Sequence, residues 1–548
     1  MSALGENHFD LVVIGGGITG AGIARDAAMR GLRTVLLEKS DIASGTSSAS
    51  SKLVHGGLRY LEQGAVALVH ESVSERHRLR QLAPHLVRPL PFVFPVYERS
   101  PRPLWQIRFG LWLYDAMALF RSFKLHKAFG SRGTEEIEPA LLKEGLDGSV
   151  LYYDCMTDDA RLTLETARGA HLAGAWVLTY AQVHSFVLER RRICGVEVED
   201  LVSGQRHTIT ARAVVNATGP WTDRTLGLRG NRPRLLRPTK GVHLVFHRDR
   251  LPVRHTVCLV NKPDHRVIFA IPWGNRVVLG TTDTDFDGDF DDVYCSAADV
   301  TYLLEVANHY FPESSLTPQD VLGTWAGLRP LVCPEEEGLG ASQVSREHTV
   351  EVADDGLITV AGGKLTTYRL MADEAVREVA RQLKQEGVQV GGCPTGSVLL
   401  PGGEGVRWEG DELVTVGRDG RQAELELEER LGKDVAEHLQ ESYGGCWLDV
   451  MARVAEEPDL GQRIVADLPY LWAEVDYSVE GELVMTLRDF MRRRTQLEIR
   501  DAEASWEVAP AIAARMGELL GWSAAETDDQ LASYLQESGR TMAWRTEL

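Results

Sequence analysis

No two of the seven cysteines form a CxxC pair; Cys155, Cys194, Cys258, Cys295, Cys333, Cys393 and Cys446 are scattered over 548 residues. That spacing excludes a disulfide framework and a cysteine zinc site, so the expectation is buried reduced thiols and no metal. No stretch approaches the ~20 consecutive apolar residues that a bilayer span requires. Basic residues are also in deficit. The 59 Lys and Arg face 79 Asp and Glu, a formal charge of −20, which argues against a nucleic-acid partner. The opening MSALGENHFD has neither a basic start nor an apolar run, so no secretory signal is read and a cytoplasmic setting is expected. The rest of the composition, 44% hydrophobic and 25% charged, is that of a globular protein, and the length calls for two or three domains.

Glycine is abundant where it carries chemistry. In FDLVVIGGGITGAG, Phe9 to Gly22, the apolar run Leu11 to Ile14 reads as a strand. Gly15, Gly17 and Gly20 then form GxGxxG, and a helix follows to about Arg30. A second strand, Arg33 to Leu37, ends at Glu38, the spacing at which an acidic side chain accepts hydrogen bonds from an adenosine ribose. The glycines allow a tight turn, close approach of backbone to pyrophosphate, and close helix–strand packing. The helix start supplies free N–H groups and positive potential. Dinucleotide binding is the expectation; the alternative is a βαβ turn that binds nothing.

Beyond Glu38 the polar stretch Ser40 to Ser51 reads as a loop near the ligand, followed by a helical region to about Leu86 and a proline-punctuated segment. Val183 to Val198 alternates like a hairpin, Ala211 to Val215 reads as a short buried strand, and Val267 to Gly280 carries two more strands. The strand Leu357 to Val360 runs through Ala361-Gly362-Gly363-Lys364 into a helix from about Leu365 to Gly387. This second strand–glycine–helix junction suits the far end of a long cofactor. The Gly/Pro-rich stretch 391–405 opens a linker taken as 391–409, and 410–548 has the spacing of a helical domain.

The blocks GGGITGAGIARDAAMRGL, SSASSKLVHGGLRYLE, NATGPW, GTTDTD, GLRPL and GGKLTTYR occur in this order, and the chain from about residue 8 to 375 resembles the FAD-dependent glycerol-3-phosphate dehydrogenase family. Thr19 stands where Asn is frequent in that family, which leaves the GxGxxG spacing intact. The resemblance implies an α/β fold: a Rossmann-like FAD-binding domain interleaved with a substrate-binding mixed β-sheet, plus a helical C-terminal domain. FAD-binding segments are then expected at about 8–90, 150–225 and 345–385, and substrate-binding segments at 91–149 and 226–344. The cofactor residues it implies are Gly15, Gly17, Thr19, Gly20, Glu38, Lys39, Thr46, Ser47, Ser51, Lys52, Leu53, His55, Gly56, Gly57, Ala217, Thr218, Gly219, Gly363, Lys364, Leu365 and Thr366. It also implies glycerol 3-phosphate as substrate, quinone as acceptor with oxygen as the alternative, and a membrane surface as partner; a homodimer is an allowed assembly.

Oxidising a secondary alcohol needs a proton acceptor and a hydride acceptor, and a phosphorylated substrate needs cations. Within the matching blocks Arg59, Arg329 and Arg346 are the phosphate or substrate ligands, since a guanidinium donates a planar fork, with Tyr60 as a hydrogen-bonding partner. His243 is the candidate base, against the alternative of a structural hydrogen bond. Lys364 serves flavin N1 or a substrate oxygen. Asp283 to Gly288 opens like a calcium loop, but its twelfth position is Tyr294 rather than Glu, so an acidic turn is preferred. Residues 99–129 mix Trp105, Phe109, Trp112, Tyr114, Phe120 and Phe123 with Arg99, Arg102, Arg108, Arg121, Lys124 and Lys127. That mixture suits either a lipid headgroup region or an amphipathic helix packed on the core.

Overall fold

The computed structural model describes residues 8–57, 65–98, 100–117, 123–230, 234–333, 347–417 and 420–548. Strand β1 (His8–Ile14) leads through the glycine turn into helix α1 (Ile18–Met29) and back to β2 (Thr34–Leu37), which pairs with β1 in parallel. On the other edge of β1 lies β3 (Gln205–Asn216), parallel to β1, followed by β4 (Ile358–Gly362), parallel to β3. All four residues of β2 are buried, as a parallel sheet covered on both faces requires. One face packs against α1, Asp159–Leu172 and Tyr368–Gln385 in a core that includes Leu11, Ala24, Leu164 and Val376. Strand order reverses at β1: the chain first adds β2 on one side of it and later returns to add β3 on the other. The crevice beyond the carboxyl ends of β1, β3 and β4 is therefore the place for a ligand.

The strand expected at Ala211 to Val215 is longer than its apolar run. Its first half, Gln205 to Thr210, pairs antiparallel with Arg192–Asp200 of a hairpin that buries one face, and alternating exposure hides it from a search for continuous apolar residues.

A second, ten-stranded sheet carries the other half of the site. The proline-punctuated segment is itself a strand of this sheet, Arg88–Tyr97, paired along its length with Leu146–Met156. Pro89, Pro91 and Pro95 share one parity, so the missing N–H groups all fall on one edge of the strand. On its other side the strand meets Thr256–Val260 only through Phe92 and Val93.

The C-terminal region is helical, with a small hairpin of Val406–Glu409 and Glu412–Thr415. It packs into the second sheet: Ala502, Met542 and Trp544 join the core around Val242 and Leu244, and Ile499 joins that around Val245 and Trp325. The preceding Gly/Pro-rich stretch hydrogen-bonds to the cofactor domain, Gly391 N–H to Arg30 and Leu400 N–H to Leu82. None of the described helices is long and apolar enough to cross a membrane.

Candidate active site

The glycine turn lines one wall of a cavity of about 490 Å³. Gly15 has φ +108°, and a Cβ there would come within 2.6 Å of the Ala217 carbonyl oxygen. Gly17 faces the cavity, and among the described residues a Cβ there would have only Ser47 Oγ near it, at 3.2 Å. Ser47 closes the start of α1 from a distant loop by accepting the Ile18 N–H at 2.9 Å, which leaves the positive helix end turned towards the cavity. Glu38 is buried and accepts N–H groups from Gly16 (2.6 Å) and Ser40 (2.8 Å); burial pushes its carboxyl up despite these bonds.

At the other end Gly362 and Gly363, at φ +74° and +86°, turn β4 into the next helix. That turn puts Lys364, Leu365 and Thr366 on the cavity wall, with Lys364 Nζ donating to Ser72 Oγ at 3.4 Å. The wall thus offers a positive helix start, an acidic side chain at the end of the adjacent strand, and a second glycine turn, which together fit a long dinucleotide.

Facing this wall are Leu236–His247 and Val321–Val332, paired antiparallel, with Thr239 opposite Arg329, Gly241 opposite Gly327 and His243 opposite Trp325. Side chains two apart share a face, so this register brings His243 and Arg329 to one side with glycines between them. A Cβ on Gly241 would come 2.3 Å from Arg329 Nη2, and one on Gly327 would come 2.7 Å from the Ala49 oxygen. His243 stacks on Trp325 at 4.7 Å, and its Nε2 is 2.8 Å from Ser51 Oγ. Burial, then the charges of Arg329 and Lys52, hold its pKa well below the ordinary imidazole range, so the ring is neutral at physiological pH. The Arg329 fork donates to Asp283 (3.0 Å), Thr281 Oγ1 (3.1 Å) and the Thr282 carbonyl (3.1 Å).

Most expected cofactor residues meet on the first wall: Gly15, Gly17, Thr19, Glu38, Lys39, Thr46, Ser47, Ser51, Leu53, His55, Ala217, Thr218, Gly219, Gly363, Lys364, Leu365 and Thr366. Gly20, Lys52 and Gly56 stand off it, each for a packing reason. A Cβ on Gly20 would come 1.8 Å from the Gly15 oxygen, so its role is helix–strand packing. Lys52 pairs with buried Asp159 at 2.6 Å. Gly56 N–H donates to Tyr114 Oη and Asp154. Gly57 lines a second, adjoining cavity. Arg59, Tyr60 and Arg346, and with them Arg99, Phe120 and Arg121, lie outside the described residues.

Sequence reasoning missed Trp221, Arg224 and Ala181 to Val183, which close the end of the cavity near Glu38. Trp221 was visible in NATGPW. The hairpin start at Ala181 carries no signal, because its position follows from pairing. Lys39 bonds Asp291 at 2.5 Å over the Trp221 ring, and Arg224 reaches Asp289 and Asp291. The acidic turn before them is taken up by arginines: Asp283 by Arg329, Asp285 by Arg237 and Asp287 by Arg234.

A doubly wound dinucleotide cradle closed by a sheet that presents a neutral histidine and an arginine defines a dinucleotide-dependent oxidoreductase. The chain matches the FAD dependent oxidoreductase family over residues 10–369 and the C-terminal domain of alpha-glycerophosphate oxidase over 393–527. It is 39% identical over 535 residues to glycerol-3-phosphate dehydrogenase 2 of Mycobacterium tuberculosis, covering 97% of this chain and 88% of that one. It is 37% identical over 544 residues to the glycerol-3-phosphate dehydrogenase of Synechocystis, covering 96% and 95%. Among solved structures, the Bacillus halodurans glycerol-3-phosphate dehydrogenase complexed with FAD superposes with TM-score 0.78 at 33% identity, over 99% of this chain and 97% of that one. The chain belongs to the FAD-dependent glycerol-3-phosphate dehydrogenase family, and its cofactor is FAD.

The cradle makes a direct prediction. Gly17→Val is expected to push Ser47 off the Ile18 N–H and fill the approach to the pyrophosphate, weakening FAD binding by at least about tenfold, or ~1.4 kcal/mol. Flavin absorbance per purified chain measures it; full occupancy contradicts the assignment. Gly15 is the poorer test, since its positive φ strains any side chain.

Proposed function

We propose that this protein oxidises sn-glycerol 3-phosphate at C2 to dihydroxyacetone phosphate and passes the two electrons to a membrane quinone. The observation that carries the reading is the shared face of His243 and Arg329 beside the FAD cradle. Bound FAD supplies the hydride acceptor. Neutral His243 takes the hydroxyl proton as C2 gives up its hydride, and Ser51 Oγ fixes the ring through Nε2. Arg329, its fork set by Asp283 and Thr281, holds a phosphate oxygen, and Lys364 places positive charge at the substrate oxygen or the flavin edge. The resemblance adds Arg59, Tyr60 and Arg346 to the same substrate. The decisive experiment is the visible spectrum of the holoenzyme before and after anaerobic addition of glycerol 3-phosphate: bleaching of the flavin band is expected, and an unchanged spectrum overturns the reading.

Quinone rather than oxygen is favoured by the surroundings of helix α2 (Leu104–Met117). Its inner face buries Leu111 and Tyr114, while Trp105, Phe109 and Trp112 are 71%, 62% and 53% exposed on the other. Beneath it a cavity with one apolar wall, Ile107, Phe92, Phe94, Tyr152 and Phe269, and with Arg102, Asp154, His265 and Arg266 also on its lining, continues to Ser51, His55 and Arg329 of the first cavity. The aromatic wall suits an apolar acceptor, and the cations on the rest of the lining suit the phosphorylated substrate. Peroxide yield in air separates the two acceptors.

Contact of α2 with lipid has a separable signature. Trp105→Ala with Trp112→Ala is expected to weaken binding to anionic vesicles several-fold at every salt concentration, because the apolar contribution is not screened. Arg108→Gln with Lys127→Gln should weaken it only at low salt, where the Debye length exceeds about 10 Å. Neither pair should alter glycerol 3-phosphate oxidation with a soluble dye. Vesicle binding that survives both pairs in folded protein rules this face out.

A further inference from the structure

The loop from Ser40 to Ser47 has an acidic anchor that the chemistry above does not use. Ile42 and Ala43 root the loop in the core, whereas Ser44, Gly45 and Thr46 line the cofactor cavity on one side and a polar cavity of about 390 Å³ on the other, so little packing backs that end of the loop. Among its ties are the Ser40 N–H to Glu38, the Tyr180 N–H to the Ser40 carbonyl, the Ala43 N–H to Gly16, the Ile18 N–H to Ser47, Thr46 Oγ1 to the Leu328 carbonyl at 2.6 Å, and Asp41. The Asp41 side chain is fully buried, and its carboxylate is held from the C-terminal domain. Arg494 donates to both oxygens, at 2.7 and 2.9 Å, and Arg493 Nε donates at 2.5 Å.

The C-terminal side of this contact is itself built. Phe490–Arg494 is a π-helical turn, a rare geometry that tends to occur at functional sites. Thr495 N–H and Oγ1 both donate back to the Phe490 carbonyl, and the turn aims adjacent arginines at one carboxylate. Arg493 also donates to Asp489 at 2.6 Å, and Asp489 accepts from Tyr180 Oη. Arg494 also donates to the Glu482 carbonyl, while the Glu482 carboxylate takes a bidentate Arg161 at 2.7 and 3.0 Å. Two buried carboxylates, Asp41 and Glu482, thus meet guanidiniums across the domain boundary, while Asp489 pairs with Arg493 on the C-terminal side. Burial alone would raise the Asp41 pKa, but Arg494 and Arg493 outweigh it and hold the carboxyl down, so the anchor stays charged.

We propose that the C-terminal domain retains FAD through the Arg493/Arg494–Asp41 clasp, which pins the Ser40–Ser47 loop against the cofactor without touching it. These are positioning residues: they act on FAD through Ser44 to Ser47. The C-terminal domain on this view belongs to the cofactor site.

Flavin release from the intact holoenzyme, followed as fluorescence regained on dilution into flavin-free buffer, tests the proposal. Arg494→Gln and Asp41→Asn are each expected to speed release about tenfold. The double variant should be about as fast as Asp41→Asn alone and fall well short of the product of the singles, because Arg494 acts on the loop through Asp41 while Arg493 still reaches it in the Arg494 single. A purely structural clasp predicts something else: equal loss of melting temperature with and without added FAD, and unchanged release. The proposal instead expects the FAD-induced rise in melting temperature to shrink. Unchanged release in all variants, or a double variant faster by the product of the singles, overturns it. Should either single fail to fold, Arg494→Lys, which keeps the charge but loses the bidentate fork, gives the same readout against wild type.

Discussion

His243→Ala is expected to slow anaerobic flavin reduction by glycerol 3-phosphate by about 10²–10⁴-fold, the usual contribution of a positioned proton acceptor, with FAD still bound. His243→Gln separates base from scaffold. Glutamine can keep a hydrogen bond to Ser51 but cannot take a proton near neutral pH, so a purely structural role predicts rescue and the base role predicts none. The pH profile of wild-type reduction is a further check. A base works unprotonated, and this ring is held neutral by burial, Arg329 and Lys52. Its acid limb should therefore lie below the ordinary imidazole value of about 6.5, with no loss from this group on going down to that pH. An acid limb at or above it, or unchanged reduction in the alanine variant, passes the role to another group or to water.

Arg329→Lys is expected to raise KM for glycerol 3-phosphate by about 10- to 100-fold, in keeping with ~1.5–3 kcal/mol for a hydrogen bond to a charged group. The charge survives, but the fork that Asp283, Thr281 and Thr282 hold in place does not. Arg329→Met should be worse, because it leaves mostly buried Asp283 facing an anionic substrate. Unphosphorylated glycerol is the control. It has no phosphate to lose, so its kcat/KM should fall far less; equal losses on both substrates contradict a phosphate role.

Some of this site is local in the chain and was legible there. The βαβ unit from Phe9 to Glu38 is one short stretch in which periodicity, glycine spacing and the acidic residue all agree. The structure keeps each in its expected place, with Gly20 needed for packing alone. GGKLTT is similarly local: two glycines at positive φ are enough to turn a strand towards a helix. The proline-marked strand Arg88–Tyr97 was not legible, because prolines argue against a strand until the partner on each edge is known. The outward stripe of α2 was half legible. Its composition was plain, but which face meets protein depends on what packs against Leu111 and Tyr114.

By itself, then, the sequence determined the cofactor class and the family, because dinucleotide binding is written in contiguous residues whose backbone conformations are set within a turn or two. Only the tertiary structure decided how the chemistry is assembled. His243 and Arg329 lie 86 positions apart and share a face through strand register, while Ser51 reaches His243 from a loop 192 positions away. The Asp41 clasp spans 453 positions. Register and domain docking are fixed by the burial of many side chains together, and no local run of residues encodes which two polar groups that burial brings within hydrogen-bonding distance.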